Sequence, residues 1–172
     1  MRAEIIAIGS ELLLGDTVNT NATWLSKALS EMGIDVFYHS TVGDNPTRIQ
    51  ETLSKAVVRS NLILITGGLG PTRDDITVET IANFFDTPLE ADPEAEEAIR
   101  QFFITRDMPM SDTNIKQALK PTEALPLKNT VGTAPGIFWD VSEKLNKTTL
   151  IACFPGVPKE LYTMWLQAED II

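Results

Sequence analysis

Four consecutive aliphatic residues, Leu62-Ile63-Leu64-Ile65, run straight into Thr66-Gly67-Gly68-Leu69-Gly70-Pro71-Thr72. A strand that is apolar at every position has no face to offer water, so it belongs inside a parallel sheet covered on both sides. Parallel strands need long crossovers, usually helices, and the chain supplies them. Arg2 to Ile8 reads as a first strand. Ala22, Leu25, Ala28, Leu29 and Met32 then recur at helical spacing, behind the cap candidates Asn19 to Asn21 and ahead of the stop at Gly33. Ile34 to Val42 is rich in strand formers, and Pro46 opens a helix with Ile49, Leu53, Ala56 and Val57 on one face. A further helix is expected from about Thr77 to Phe85. The order βαβαβα predicts an α/β fold on a mostly parallel sheet.

Beyond residue 88 the pattern changes. Asp92-Pro93 starts a helix carrying Ala95, Ala98, Ile99, Phe102 and Phe103, and Ser111 caps a shorter one through Leu119, so residues 88–120 read as a helical insertion. Strands near Gly136 to Val141 and Thr148 to Phe154, joined by the polar turn Ser142 to Lys147, predict a hairpin, and Pro158 to Ala168 a last helix. A chain of 172 residues suits one domain with one core. No apolar run approaches the roughly 20 residues of a membrane span, and the start lacks a secretory pattern, so a cytoplasmic protein without membrane contact is expected. The chain ends on Asp170-Ile171-Ile172, apolar where a terminus is usually polar, which suggests a piece of a longer protein. Cys153 is alone, which rules out an intrachain disulfide and a cysteine zinc cluster; its apolar flanks predict a buried thiol. The net charge of −10 argues against nucleic-acid binding, which draws its affinity from lysines and arginines on phosphates.

An acidic chain still binds a small phosphorylated ligand where backbone N–H groups, an arginine or a divalent cation supply local positive potential. Thr66, Gly67, Gly68, Leu69, Gly70 and Thr72 lie at the carboxyl end of the central strand, where ligands of open α/β sheets bind. The segment lacks the Lys-Ser/Thr of a P-loop and the spacing of a dinucleotide fingerprint. Arg73, Asp74 and Asp75 stand at the same mouth, and Asp44 ends the neighbouring strand. Carboxylates there suit a hard cation such as Mg²⁺, Mn²⁺ or Co²⁺, with Asp44 and Asp75 as the ligand candidates; helix capping is the plainer alternative. After the first strand come Ser10, Glu11 and Asn21, with the leucines Leu12, Leu13 and Leu14 expected to pack partly inward. Two further turns carry Gly132 with Thr133, and Pro155 with Gly156. His39 reads as structural.

With these segments assembled, the chain resembles the molybdopterin-binding (MoaB/Mog-like) domain family, and most of all the N-terminal domains of CinA proteins. Gly-Gly-x-Gly-Pro at Gly67 to Pro71 carries the wider resemblance. Lys116-Gln117-Ala118 and Gly132-Thr133-Ala134-Pro135-Gly136 carry the CinA-type one. The resemblance implies a three-layer α/β/α sandwich and functional positions at Asp44 and Asp75. It also implies one of two chemistries: metal-dependent hydrolysis of ADP-ribose to AMP and ribose 5-phosphate, or adenylyl transfer on a bound molybdopterin; for the hydrolysis, Arg73 is the expected catalytic cation that neutralises developing charge. A module that binds a nucleotide or pterin without turnover, and a homo-oligomer, remain compatible with the same residues.

Overall fold

A computed structural model describes residues 1–172. Its centre is a six-stranded sheet built from β1 (Arg2–Ile8), β2 (Asp35–Val42), β3 (Leu62–Thr66), β6 (Leu125–Leu127), β7 (Gly136–Asp140) and β8 (Leu150–Phe154). The strand order is β2-β1-β3-β8-β7-β6. β2, β1, β3 and β8 run parallel, while β7 pairs antiparallel with both β8 and β6. The expected hairpin is therefore present, its polar connection coiled into the short helix α6 (Ser142–Leu145). β3 is buried at all five positions, as its composition demands.

Period-two alternation sorts the strands between two cores. Ile63, Ile65, Ile151, Cys153, Ile137 and Trp139 face one side, together with Ile49, Leu53 and Val57 of α3 (Pro46–Arg59) and Ile81 of α4 (Thr77–Phe84). Leu62, Leu64, Ala152, Phe154 and Phe138 face the other, against α2 (Thr20–Glu31) and α7 (Pro158–Glu169). The result is a three-layer α/β/α sandwich. Helix starts obey local chemistry: Asn19 accepts from the Ala22 N–H, and Asn45 accepts from the Arg48 N–H just before Pro46. Burial among the sheet residues pushes the Cys153 thiol up to about 12, which leaves it inert as a nucleophile at neutral pH.

Three expectations change. The 88–120 excursion is not wholly helical: α5 (Pro93–Thr105) is framed by β4 (Leu89–Ala91) and β5 (Leu119–Pro121), which form a small antiparallel sheet. Three-residue strands carry too little periodicity to read. The segment capped by Ser111 is a 3-10 helix, Asp112–Ala118, ending where β5 begins. Ser10–Leu14 forms a short helix, α1, beyond the sheet edge; Leu12 is half-buried, but Leu13 and Leu14 are 54% and 76% exposed.

Candidate functional site

β1, β2 and β3 end side by side, and the segments after them border one open crevice of about 590 Å³. Glu11 of α1, Asp44 after β2, and Gly67 to Pro71 with Asp74 and Asp75 after β3 line it, with Thr133, Pro155, Gly156 and Glu160 on the other wall. Asn21, in the first turn of α2, joins these walls: its Nδ2 donates to Thr66 Oγ1 at 2.9 Å and to the Gly156 carbonyl at 2.8 Å.

The turn after β3 presents main chain rather than side chains. Gly67 (φ 104°) and Gly68 (φ 67°) take left-handed backbone, and a Cβ would strike the Ile8 carbonyl at Gly67 and the Thr77 hydroxyl at Gly68. Gly67 N–H donates to the Phe154 carbonyl, whereas the next three N–H groups, of Gly68, Leu69 and Gly70, find no acceptor in the protein. Successive free N–H groups at a strand-to-helix turn form a concavity suited to an anion. Lys116 Nζ donates to the carbonyls of Asp75 and Thr72, and Gln117 Nε2 to that of Leu69, so the 88–120 excursion holds this turn from outside.

Carboxylates surround these donors. Glu11, Asp44, Asp74, Asp75 and Glu160 line the crevice, and no Lys, Arg or His does. Asp44 is not a helix cap, a part taken by Asn45; its Oδ2 accepts from the Ser10 N–H (2.9 Å) and hydroxyl (2.8 Å), leaving Oδ1 uncommitted. Asp75 closes its own turn, with Oδ2 accepting from the Thr72 N–H (2.9 Å) and hydroxyl (2.6 Å) and Oδ1 uncommitted; α4 starts after Ile76 without a side-chain cap. Glycines make room for three of the acids: a Cβ on Gly9, Gly70 or Gly132 would collide with the carboxylates of Glu11, Asp75 and Glu160.

Burial raises the Glu160 carboxyl above its ordinary range, against the opposing effect of the hydrogen bond it accepts from Asn129 Nδ2 (2.6 Å). Asn129 also donates to the Ala134 carbonyl and accepts from the N–H groups of Val131 and Gly132. What sequence reasoning misses is the pairing, because the partners lie 31 residues apart; Glu160 lines the crevice and Asn129 supports it from outside. Their only signal is position: Asn129 follows the end of β6, and Glu160 lies in the first turn of α7.

Not every expected residue lines the crevice. Ser10 acts through Asp44, and Thr72 through Asp75. Gly132 borders a second cavity of about 220 Å³ between α5 and the 126–135 segment, which meets the crevice at Thr133. Arg73 stands exposed on the turn, outside the crevice wall and without an ion pair, because the Thr72–Asp75 closure leaves residues 72–74 in solvent. No three His, Cys, Asp or Glu residues come close enough to hold a metal by themselves. Asp44 and Asp75 each keep one oxygen without a protein donor, the kind of ligand a hard cation takes.

Known proteins share this fold. Residues 4–169 match the family model described as "Probable molybdopterin binding domain". A CinA-like protein of Nostoc punctiforme is 50% identical over 165 residues, covering 96% of this chain and 39% of its own; one from Trichodesmium erythraeum is also 50% identical over 165 residues, at 96% and 38%. The chain thus spans about two-fifths of the length of these relatives. Among solved structures, the CinA protein of Thermoplasma acidophilum, described as of unknown function, superposes with a TM-score of 0.88 at 34% identity, over 99% of this chain and 98% of that one. The molybdopterin biosynthesis enzyme MoaB of Thermus thermophilus superposes at 0.65 with 21% identity, over 99% and 91%, a likeness of fold.

Proposed function

Since the chain belongs to the molybdopterin-binding domain family, in its CinA-like branch, we propose that its crevice binds a small phosphate-bearing nucleotide or pterin and cleaves a phosphoanhydride with the help of a divalent cation. ADP-ribose, giving AMP and ribose 5-phosphate, is the substrate we put first. The observation that carries this reading is the pairing of three unspent N–H donors with a wall of carboxylates and no basic side chain. Such a site repels a bare phosphate and accepts one accompanied by a cation. As water attacks phosphorus and the anhydride oxygen leaves, a divalent ion bound there would offset the negative charge on the phosphoryl and leaving oxygens.

The chain's own residues do the rest. The Gly68, Leu69 and Gly70 N–H groups hold the phosphate oxygens in a fixed direction, the kind of preset dipole that stabilises developing charge without reorganising. Ser10 and Thr72 each fix one oxygen of Asp44 and Asp75, so the free oxygen of each acid keeps its aim. Arg73 contributes only if its exposed side chain reaches over the rim. The decisive experiment incubates the protein with ADP-ribose, related dinucleotides and pterin phosphates, with and without Mg²⁺, Mn²⁺ or Co²⁺, and monitors product release. Cation-dependent formation of AMP is expected. Binding without turnover under every condition would leave a pterin- or nucleotide-binding module, the second reading that the family supports. Binding of none of them would remove the proposal.

A further inference from the structure

The wall facing the glycine turn carries acceptors that the protein itself leaves without donors. Asn21 is 6% exposed, and its Oδ1 has no partner, although its Nδ2 is committed twice. The amide's orientation is fixed by the chain of bonds around it: Thr66 Oγ1 donates to the Pro155 carbonyl, so it must accept from Asn21 Nδ2. Glu160 is half-buried, in the first turn of α7. Its Oε2 accepts from Asn129, its Oε1 accepts nothing, and the missing side chain of Gly132 makes its place. The two residues belong to one wall, since Asn21 bonds to Gly156, four residues before Glu160. Neither is paired with a Lys or Arg.

Glu160, with one carboxylate oxygen left open on the crevice, calls for a ligand that brings hydrogen-bond donors, while the Asn21 oxygen is shut off from the crevice and that residue only braces the wall behind it. A phosphate at neutral pH brings none, so the part of the ligand that meets this wall is not the phosphate. Resting on the reading of the glycine turn as the phosphate seat, we propose that Glu160 recognises the other end of the ligand through two adjacent donors, either the vicinal diol of a ribose or the amino and ring N–H face of a pterin. Both groups set two donors side by side, which the two lone pairs of the free Oε1 can receive. Asn129 is the positioning residue: it fixes the rotation of the Glu160 carboxylate from behind and touches no ligand.

Matched pairs of probes separate the two sources. Binding of AMP against 2′,3′-dideoxy-AMP reads the diol. Binding of pterin against lumazine, which has a carbonyl where pterin has its 2-amino group, reads the amino face. With Mg²⁺ present, the wild-type protein should favour the better-equipped member of one pair by about tenfold or more, the scale of a hydrogen bond to a charged group. Glu160→Gln should cut that preference to about twofold, and Glu160→Asp, which keeps the charge but withdraws it, should do the same. A wild-type protein that prefers neither member of either pair overturns the proposal, and so does a preference that survives both substitutions in folded protein. Pyrophosphate with Mg²⁺, bound to the wild type, reports on the glycine turn alone. Its failure to bind would sink the phosphate seat while the matched pairs still judge the donor wall.

Discussion

Glu4 and the crevice carboxylates belong to the same group of strands, near opposite ends, and the protein treats them in opposite ways. Glu4 is fully buried and wholly committed: Arg59 donates to it through Nε (2.9 Å) and Nη2 (2.7 Å), and the hydroxyls of Ser40 (3.1 Å) and Ser60 (3.3 Å) complete its shell. Arg59 in turn lies 3.7 Å over the ring of Tyr38, and the Glu4 hydrogen bond, ahead of the cost of its burial, raises its pKa. At the other end Asp44 and Asp75 each keep an oxygen unspent, Glu160 keeps Oε1, and three N–H groups keep their hydrogens. A polar group whose partners all come from the chain serves the fold. One left short of partners beside a cavity is waiting for something that is not protein.

The largest effect should come from breaking the closed end. Arg59→Ala strands the Glu4 carboxylate inside the protein with only two hydroxyls, and a loss of about 3–5 kcal/mol is expected, read as a lowered midpoint in urea. Glu4→Leu combined with Arg59→Met should recover most of it, since removing both charges removes the stranded one. An Arg59→Ala protein as stable as the wild type would erase the contrast.

Asp75→Asn tests the open end and should behave the other way round. The amide can still accept from the Thr72 N–H, so the cost in stability should stay at about 1–2 kcal/mol, while cation-dependent turnover falls by about 10²-fold or more at saturating metal. Thermal unfolding and ADP-ribose hydrolysis, measured on the same samples, separate the two numbers. A folded variant with wild-type turnover would confine Asp75 to holding its turn and move the chemistry to Asp44 or Asp74.

The smallest effect concerns Glu160. Because its folded pKa is raised, its contribution to stability is complete below the ordinary carboxylate range and is lost as pH rises through the folded value. Glu160→Gln has no such proton to lose. The midpoint of the wild type should therefore fall relative to the variant's as pH rises above about 4, the ordinary glutamate range, the other carboxylates cancelling in the difference. A gap that widens in favour of the wild type over that range would mean a hidden donor already satisfies the acid.

Much of the architecture is legible in the sequence because its signals are long or chemically strict. β3 announces itself by five buried positions in succession, α3 by Asn45-Pro46 and a four-residue apolar face, and the crevice turn by three glycines after a strand. The unread parts share a different property. β4, β5 and β6 have three residues each, shorter than any pattern they could repeat. Glu4 in a strand looks solvent-facing until Arg59, 55 residues on, is seen to cover it. Ser10 and Thr72 read as ligand contacts in the sequence, and in the structure their hydroxyls bond to Asp44 and Asp75; sequence marks which residues are polar at a strand end but not which neighbour each one bonds.

If the glycine turn seats a phosphate as proposed, its being built from main chain limits how such a protein can diverge. The Gly68, Leu69 and Gly70 donors belong to the backbone, and no exchange of side chains can remove or re-tune them without breaking the turn itself. Two of the glycines have no room for a methyl group. Descendants of this sequence that acquire a new ligand must therefore keep the seat and change its surroundings, at places such as Asn129 and Glu160, whose side chains bond to no residue of β3. Variation in ligand would then be written almost entirely in the wall, on a grip that stays the same.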